Sequence, residues 1–256
     1  NTSEALSVVA YGLPWQAGDK VVISSQEFPS NRIVWESLAK FGVKTETVDL
    51  SQGDTPEAAL IGCLDRHTRL LSVSSVQYGT GLRLDLDALG SACRERGILF
   101  CVDAIQSLGA MTFDVQDCQA DFVMADGHKW MLGPEGLALF FAAPAAREQL
   151  RIQQYGWHMV AHAGDYDRTD WVPADDARRF ECGSPNMLGI HALQASLSLL
   201  LQVGPQAVFE RILQKTAYLS ERISELSAEI LSPQETSRRA GILSFRMPGR
   251  DSQQIH

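Results

Sequence analysis

The chain of 256 residues is 45% hydrophobic and 21% charged, so it can bury a sizeable core and is neither disordered nor fibrous. Its formal net charge of −9 at pH 7 would repel a phosphate backbone, which argues against a nucleic-acid partner. No apolar run reaches the ~18 residues that a membrane helix needs, and the five scattered cysteines form no C-x-x-C pair, so we expect a cytoplasmic protein without a membrane partner.

Helix and strand patterns alternate from the first residues. The chain starts directly on a helix, capped by Thr2 or Ser3, without an initiator Met, so we expect a fragment of a longer protein. In chain order, the sequence predicts a helix over 2–11, a strand over 20–24, a helix over 30–41, a strand over 43–48, a helix over 55–66, a strand over 70–76, a helix over 85–96, strands over 98–102, 121–125 and 136–142, helices over 186–203 and 205–228, and a strand over 242–247. Residues 153–183 follow neither pattern. The alternation implies an α/β fold of three layers, with a mainly parallel sheet covered on both faces.

Polar and aromatic side chains follow the predicted strands at the points where these end. In chain order they are Phe28, Tyr78, Asp103, Gln106, Asp126, His128 and Lys129. Ligands of open α/β sheets bind at the carboxyl ends of the strands, so we expect these side chains to meet at one site. Thr2 and Ser3 add the start of the first helix, where free N–H groups and the helix dipole favour a phosphate.

An acid and a lysine at neighbouring strand ends suit pyridoxal phosphate. The amine of Lys129 can form a Schiff base with this cofactor. The carboxylate of Asp103 can pair with the pyridine nitrogen and keep it protonated, so that the ring accepts electrons. An aromatic side chain can stack on the ring. A strand-end Asp alone is usually a turn former and a lone Lys is usually solvated, so the prediction rests on the joint pattern.

Three segments of the chain carry a family resemblance. They are Val102-Asp103-Ala104-Ile105-Gln106, Gly127-His128-Lys129 and Gly133-Pro134-Glu135-Gly136. Together they resemble the class V aminotransferase family of fold-type I pyridoxal-phosphate enzymes, which includes cysteine desulfurases, selenocysteine lyases, kynureninases and isopenicillin N epimerase-like proteins. The resemblance implies a seven-stranded, pyridoxal-phosphate-binding large domain over 1–204, without the family's N-terminal segment. It also implies a connecting helix and the truncated start of a C-terminal small domain over 205–256.

The resemblance implies roles for the residues around the cofactor ring. Lys129 would form the Schiff base, Asp103 would bind the pyridinium nitrogen and Gln106 would bind the phenolic oxygen of the ring. Phe28 would stack on the ring. Tyr78 aligns near a residue that contacts the ring oxygen or the substrate, although a packed strand-end Tyr is an equally open interpretation.

Four residues would surround the cofactor phosphate by the same resemblance. Thr2 and Ser3 match the phosphate-cradling pair of the family, and His128 would also reach the phosphate. Ser184 matches a Thr that in many members reaches the phosphate of the neighbouring subunit's cofactor, which implies a homodimer. The sequence indicates no metal site.

Two residues depart from the pattern of the cysteine desulfurases. Phe28 stands where those enzymes carry a His, and it can stack on the ring but cannot move protons. Asp126 stands where they carry a phosphate-binding Ser, and a carboxylate facing a phosphate dianion is repulsive. We therefore predict that the Asp126 side chain turns away, onto His128 or a backbone N–H.

The sequence thus predicts a pyridoxal-phosphate-dependent transferase or lyase that acts on a small amino acid through Lys129. The alternatives are a cysteine desulfurase or selenocysteine lyase, a kynureninase-like hydrolase or isopenicillin N epimerase-like isomerase, and a non-catalytic protein with the same fold. A dinucleotide-binding oxidoreductase is disfavoured because Gly79-Thr80-Gly81 lacks the third glycine of the fingerprint and precedes no helix. A serine hydrolase is disfavoured because no G-x-S-x-G occurs.

Overall fold

A six-stranded sheet lies at the centre of the computed structural model, which describes residues 1–251. Its strands are β1 (Lys20–Ser24), β2 (Lys44–Val48), β3 (Thr68–Ser74), β4 (Leu99–Asp103), β5 (Phe122–Asp126) and β6 (Ala138–Ala142). They lie in the order β2-β1-β3-β4-β5-β6 and are parallel, except that β6 runs antiparallel to β5. The predicted α/β fold with a mainly parallel sheet is confirmed, whereas the count of seven strands is not.

Helices connect and cover these strands. The α-helices are α1 (Thr2–Gly12), α2 (Ser30–Glu36), α3 (Pro56–Gly62), α4 (Leu86–Arg96), α5 (Pro144–Arg147), α6 (Met187–Val203) and α7 (Pro205–Ser224). Short 3₁₀ helices cover Ser37–Phe41, Ala177–Phe180 and Thr236–Arg238. A separate two-stranded sheet pairs β7 (Glu229–Ile230) with β8 (Phe245–Arg246), so the strand predicted over 242–247 is shorter than expected and lies outside the main sheet.

Apolar side chains of the sheet alternate between its two faces and build a core on each. On one face Val21 and Ile23 of β1 pack in a cluster with Trp35 of α2. On the other face Val22 packs in a cluster with Leu89 of α4. Successive side chains of a strand point to opposite faces, so apolar runs in the strands supply both cores at once. The three-layer arrangement is therefore confirmed.

Two helix ends differ from the predicted ones for local reasons. Asn1, rather than Thr2 or Ser3, caps α1, because the Asn1 side chain accepts a backbone N–H of the first turn at 2.9 Å. The helix predicted over 30–41 is α2 followed by a 3₁₀ turn. Gly42 ends it in the left-handed conformation, with φ of +77°, which a glycine adopts without a steric penalty.

The segment predicted to lack a regular pattern, 153–183, is irregular apart from the 3₁₀ turn at Ala177–Phe180. Gly204 separates α6 from α7, and the domain boundary placed there stays a prediction. Within residues 1–251, no single helix is long and apolar enough to cross a membrane. Only taken together are helices α6 and α7 long and apolar enough for a membrane span, and the chain bends by 81° between them.

Candidate active site

Neighbouring strand ends of the main sheet carry the candidate site. Asp103 is the last residue of β4, and Asp126 is the last residue of β5. Ser74 ends β3 and lies opposite Asp103 in the parallel ladder. The segment that follows β1 carries Glu27 and Phe28. The parallel register therefore brings these groups to one edge of the sheet, as the sequence predicts.

Asp103 is a buried acid without a cationic hydrogen-bond partner. Its side chain is 2% exposed, and Oδ1 accepts the N–H of Ile105 at 3.0 Å. Burial raises the pKa of this carboxyl to about 7 from an ordinary 3.8. The charge of Glu27 raises the pKa further, whereas the charge of Lys129 lowers it. The second oxygen makes no hydrogen bond within residues 1–251, so Asp103 is available to pair with a cationic N–H group of a ligand.

Lys129 lies in a tight turn after β5. The N–H of Gly133 donates to the carbonyl of Gly127 at 2.7 Å and closes this turn. Nζ of Lys129 lies 5.7 Å from the centroid of the Phe28 ring. Phe28 packs edge-to-face against Tyr78, with ring centroids 5.2 Å apart. The two residues are 43% and 45% exposed. Phe28, Tyr78 and Lys129 therefore lie together at a solvent-accessible entrance to the candidate site.

Gln106 is held by a residue that the sequence interpretation left out of the site. The indole Nε1–H of Trp130 donates to Oε1 of Gln106 at 3.0 Å. An indole only donates, so this bond orients the amide and leaves the NH₂ group of Gln106 free to donate elsewhere. The indole itself is closely packed, since a Cβ on Gly241 would lie 2.3 Å from the Trp130 ring. The position of Trp130 next to Lys129 was the signal for this role.

The first turn of α1 lies beside the end of β5. Thr2 is buried, and its Oγ1 accepts the N–H of Asp126 at 3.0 Å, which leaves the Thr2 O–H free to donate. The Ser3 hydroxyl donates to the hydroxyl of Ser30 at 2.7 Å. His128 is exposed on the turn that follows β5. The helix terminus lies at the predicted phosphate end of the candidate site, and the binding of an anion by these side chains stays a prediction.

The predicted partners of the Asp126 carboxylate are wrong. The side chain is buried, and Oδ1 has no hydrogen-bond partner among residues 1–251. Nearby backbone donors are already used, because the Asp126 N–H bonds Thr2 and the Gly127 N–H donates to the carbonyl of Leu137 at 2.9 Å. His128 faces solvent and makes no hydrogen bond to it. Asp126 therefore adds an unpaired buried acceptor to the predicted phosphate end.

A second buried acid, Glu27, was missed by the sequence interpretation. Its carboxylate accepts hydrogen bonds from the amide of Asn31 at 2.8 Å and from the amide of Gln77 at 3.0 Å. It also accepts the N–H of Ser74 at 2.9 Å and the hydroxyl of Ser74 at 2.5 Å. The i,i+4 spacing of Glu27 and Asn31 after a buried strand was the only sequence signal for this network.

Ser184 lies in the irregular segment before α6 and is exposed. No hydrogen bond joins its side chain to any of the first 251 residues. Its contact with a cofactor of a neighbouring subunit stays a prediction.

The match to a known family covers the whole chain. The model for aminotransferase class-V matches residues 1–256. The chain belongs to this family. It is 30% identical over 256 residues to a probable cysteine desulfurase of Methanothermobacter thermautotrophicus, with coverage of 100% of this chain and 63% of the relative. It is 28% identical over 268 residues to the isopenicillin N epimerase of Streptomyces clavuligerus, with coverage of 100% and 67%.

Solved structures have the same fold as this family member. The apo structure of a cysteine desulfurase from Thermococcus onnurineus NA1 superposes with a TM-score of 0.86 at 26% identity, covering 100% of this chain and 64% of that one. A C-DES variant with glycine covalently linked to its PLP cofactor gives a TM-score of 0.88 at 24% identity, covering 100% and 68%. The chain spans less than two thirds of the two archaeal desulfurases.

The residues present fit pyridoxal phosphate, the cofactor of this family. Asp103 is a buried acid with a free oxygen for a pyridinium N–H, and Gln106 presents free amide N–H groups for a phenolic oxygen. Thr2 presents a free O–H at the helix terminus. Asp126 is the exception, because it brings a negative charge to the phosphate end. Within residues 1–251, no group of three or more His, Cys, Asp or Glu side chains is placed to hold a metal ion.

Proposed function

We propose that this chain is the cofactor-binding part of a pyridoxal-phosphate-dependent enzyme that converts a small amino acid by transamination or by lyase chemistry. One observation carries the proposal: a buried acid, Asp103, and an amine beside the Phe28 ring, Lys129, lie at or just after the ends of the neighbouring strands β4 and β5. Family membership supports it independently.

The cofactor, when bound, supplies a cationic aromatic ring that accepts electrons from bonds to the substrate α-carbon. Asp103 holds the proton on the ring nitrogen, and Gln106 donates an N–H to the phenolic oxygen. The Lys129 amine would bind the cofactor and would move a proton at the substrate α-carbon. Phe28 covers one face of the ring and excludes water from it.

Cysteine desulfurase is the second candidate function. Relatives named as probable cysteine desulfurases or cysteine desulfurases, at 29–31% identity, support it. Phe28 counts against it, because a phenyl ring cannot exchange protons with a substrate or leaving group. The same argument favours a reaction in which Lys129 is the only proton carrier at the substrate.

We also propose that the enzyme is a cytosolic homodimer in which Ser184 reaches the cofactor phosphate of the partner subunit. Helix α6, which begins just after Ser184, leaves Leu188 85% exposed and Leu199 56% exposed on one helix face. An exposed apolar face supports a contact with another protein. The five cysteines are all free, which suits a reducing compartment.

Absorbance spectroscopy tests the cofactor assignment. Pyridoxal phosphate added to the purified wild-type protein should give the absorbance band of a lysine-bound cofactor, and Lys129→Ala should lose it. Lys215→Ala is the matched control, because Lys215 is exposed on α7 and should leave the band unchanged. An unchanged band in Lys129→Ala rejects the assignment. The loaded full-length enzyme should then be given single amino acids and assayed for keto acid, alanine and sulfide, which separates transamination from lyase and desulfurase chemistry.

A further inference from the structure

We propose that Glu27 is a positioning residue: a buried acidic side chain beside Asp103 that strengthens the hold of Asp103 on the proton of the cofactor ring nitrogen. This inference rests on the proposed function, because it concerns the same ring. Glu27 lies in the segment between β1 and α2, and its hydrogen bonds are all to other residues of the protein.

Hydrogen-bond donors surround the Glu27 carboxylate. All of its partners act as donors: the amides of Asn31 and Gln77 and the N–H and hydroxyl of Ser74, at 2.5 to 3.0 Å for the shortest contact of each. A carboxylate that accepts several hydrogen bonds is stabilised in its charged form. The charge has no cationic hydrogen-bond partner, so it is offset by neutral dipoles and its field extends into the surrounding protein.

The partners of Glu27 are themselves fixed. Oδ1 of Asn31 accepts the indole N–H of Trp35 at 2.9 Å and the hydroxyl of Ser72 at 2.6 Å. These bonds orient the Asn31 amide so that its NH₂ group faces Glu27. The Asn31 side of the network is buried and fully bonded, so it holds one geometry, whereas Oε1 of Gln77 has no hydrogen-bond partner among residues 1–251.

The backbone places this anion next to Asp103. Ser74, which donates twice to Glu27, is the register partner of Asp103 in the β3–β4 ladder. Adjacent strands lie about 4.8 Å apart. The Glu27 carboxylate, bonded to the end of β3, therefore lies one strand away from Asp103 at the end of β4. The following residue, Ser75, donates its N–H to the carbonyl of Asp103 at 2.9 Å and ties the strand ends together.

Three charged groups act on Asp103 from the elements around it. Glu27 and Asp126 raise the pKa of Asp103, and Lys129 lowers it. Of the two acids, Glu27 has the larger effect. The charge of Glu27 would act in the same way on the proton that Asp103 would share with the ring nitrogen.

The test is the protonation of the ring nitrogen itself. Cofactor-free protein is loaded with pyridoxal phosphate labelled with ¹⁵N in the ring, and the ¹⁵N chemical shift is followed against pH. In Glu27→Gln the ring nitrogen should lose its proton at a pH about one unit lower than in the wild type, because a neighbouring negative charge is gone. Ser74→Ala is the matched control, since it removes one hydrogen bond and keeps the charge, and its titration should stay close to that of the wild type.

A second variant covers the case in which Glu27→Gln does not fold. In the double variant Glu27→Gln, Asn31→Asp, the new amide donates to the new carboxylate, so the buried charge and the number of hydrogen bonds are conserved while the charge moves away from Asp103. Its titration should shift in the same direction as that of Glu27→Gln. Titrations equal to the wild type in every folded Glu27 variant overturn the inference. Absence of a lysine-bound cofactor in the wild type overturns the proposed function instead.

Discussion

Replacing Asp103 with Asn tests the electrostatics of the site in the absence of any cofactor. The carboxyl is 2% exposed, and burial raises its pKa to about 7 from an ordinary 3.8. The folded protein therefore binds more protons than the unfolded chain between these two pH values. Its free energy of unfolding must then fall as the pH rises from about 4 to about 7.

The size of this loss follows from the same two pKa values. The difference between about 7 and 3.8 corresponds to about 4 kcal/mol of unfolding free energy once Asp103 is ionised in both states. Asn cannot ionise, and its Oδ1 can still accept the N–H of Ile105. We therefore expect Asp103→Asn to match the wild type at acidic pH and to be more stable by up to about 4 kcal/mol above neutral pH.

Urea unfolding of the cofactor-free protein at a series of pH values measures this difference directly. Subtracting the wild-type curve from the Asp103→Asn curve removes the titration of all other groups. The exposed Asp117→Asn is the matched control and should give a flat difference. A flat difference for Asp103→Asn as well would refute the electrostatic reasoning. The same variant should bind pyridoxal phosphate more weakly than the wild type, because the partner of the pyridinium N–H is neutral.

Three further substitutions probe the ring and phosphate ends. Trp130→Phe removes the N–H donor that orients Gln106. The Kd for pyridoxal phosphate, measured by equilibrium dialysis, should therefore rise about fivefold. An unchanged Kd would exclude this role of Trp130. Phe28→Leu should weaken the same binding by about 1 kcal/mol, because the stacking ring is lost. Tyr78→Phe keeps its ring and should bind pyridoxal phosphate as the wild type does. Equal losses in the two variants would contradict the stacking role of Phe28. Asp126→Asn replaces an unpaired buried anion, so urea unfolding should show a gain of about 1 kcal/mol, and a loss would show that the carboxylate is stabilising.

The sequence could predict the framework of the site because that framework follows from strand ends. Asp103 and Asp126 each end a buried apolar run, and parallel strands place such ends on one edge. The helix cap at Asn1 and the shortened last strand escaped prediction, because local hydrogen bonds and pairing partners decide such ends.

The contacts that tune the site were beyond sequence reasoning. The bond from Trp130 to Gln106 and the donors around Glu27 join residues that are distant in the chain, and no periodicity marks them. The partners of the Asp126 side chain were predicted wrongly for the same reason: Thr2, which is 124 residues away in the chain, accepts the backbone N–H of Asp126.

The central claim is that Lys129 holds the cofactor whose ring nitrogen pairs with Asp103. The most direct measurement is reduction of the loaded wild-type protein with borohydride, followed by proteolysis and mass spectrometry of the modified peptide. With the cofactor in excess, the account predicts a pyridoxyl group on Lys129 at full occupancy in the wild type. At a subsaturating cofactor concentration, it predicts lower occupancy in Asp103→Asn than in the wild type. Modification of any other lysine with Lys129 left free, or equal occupancy in the two proteins, would contradict it.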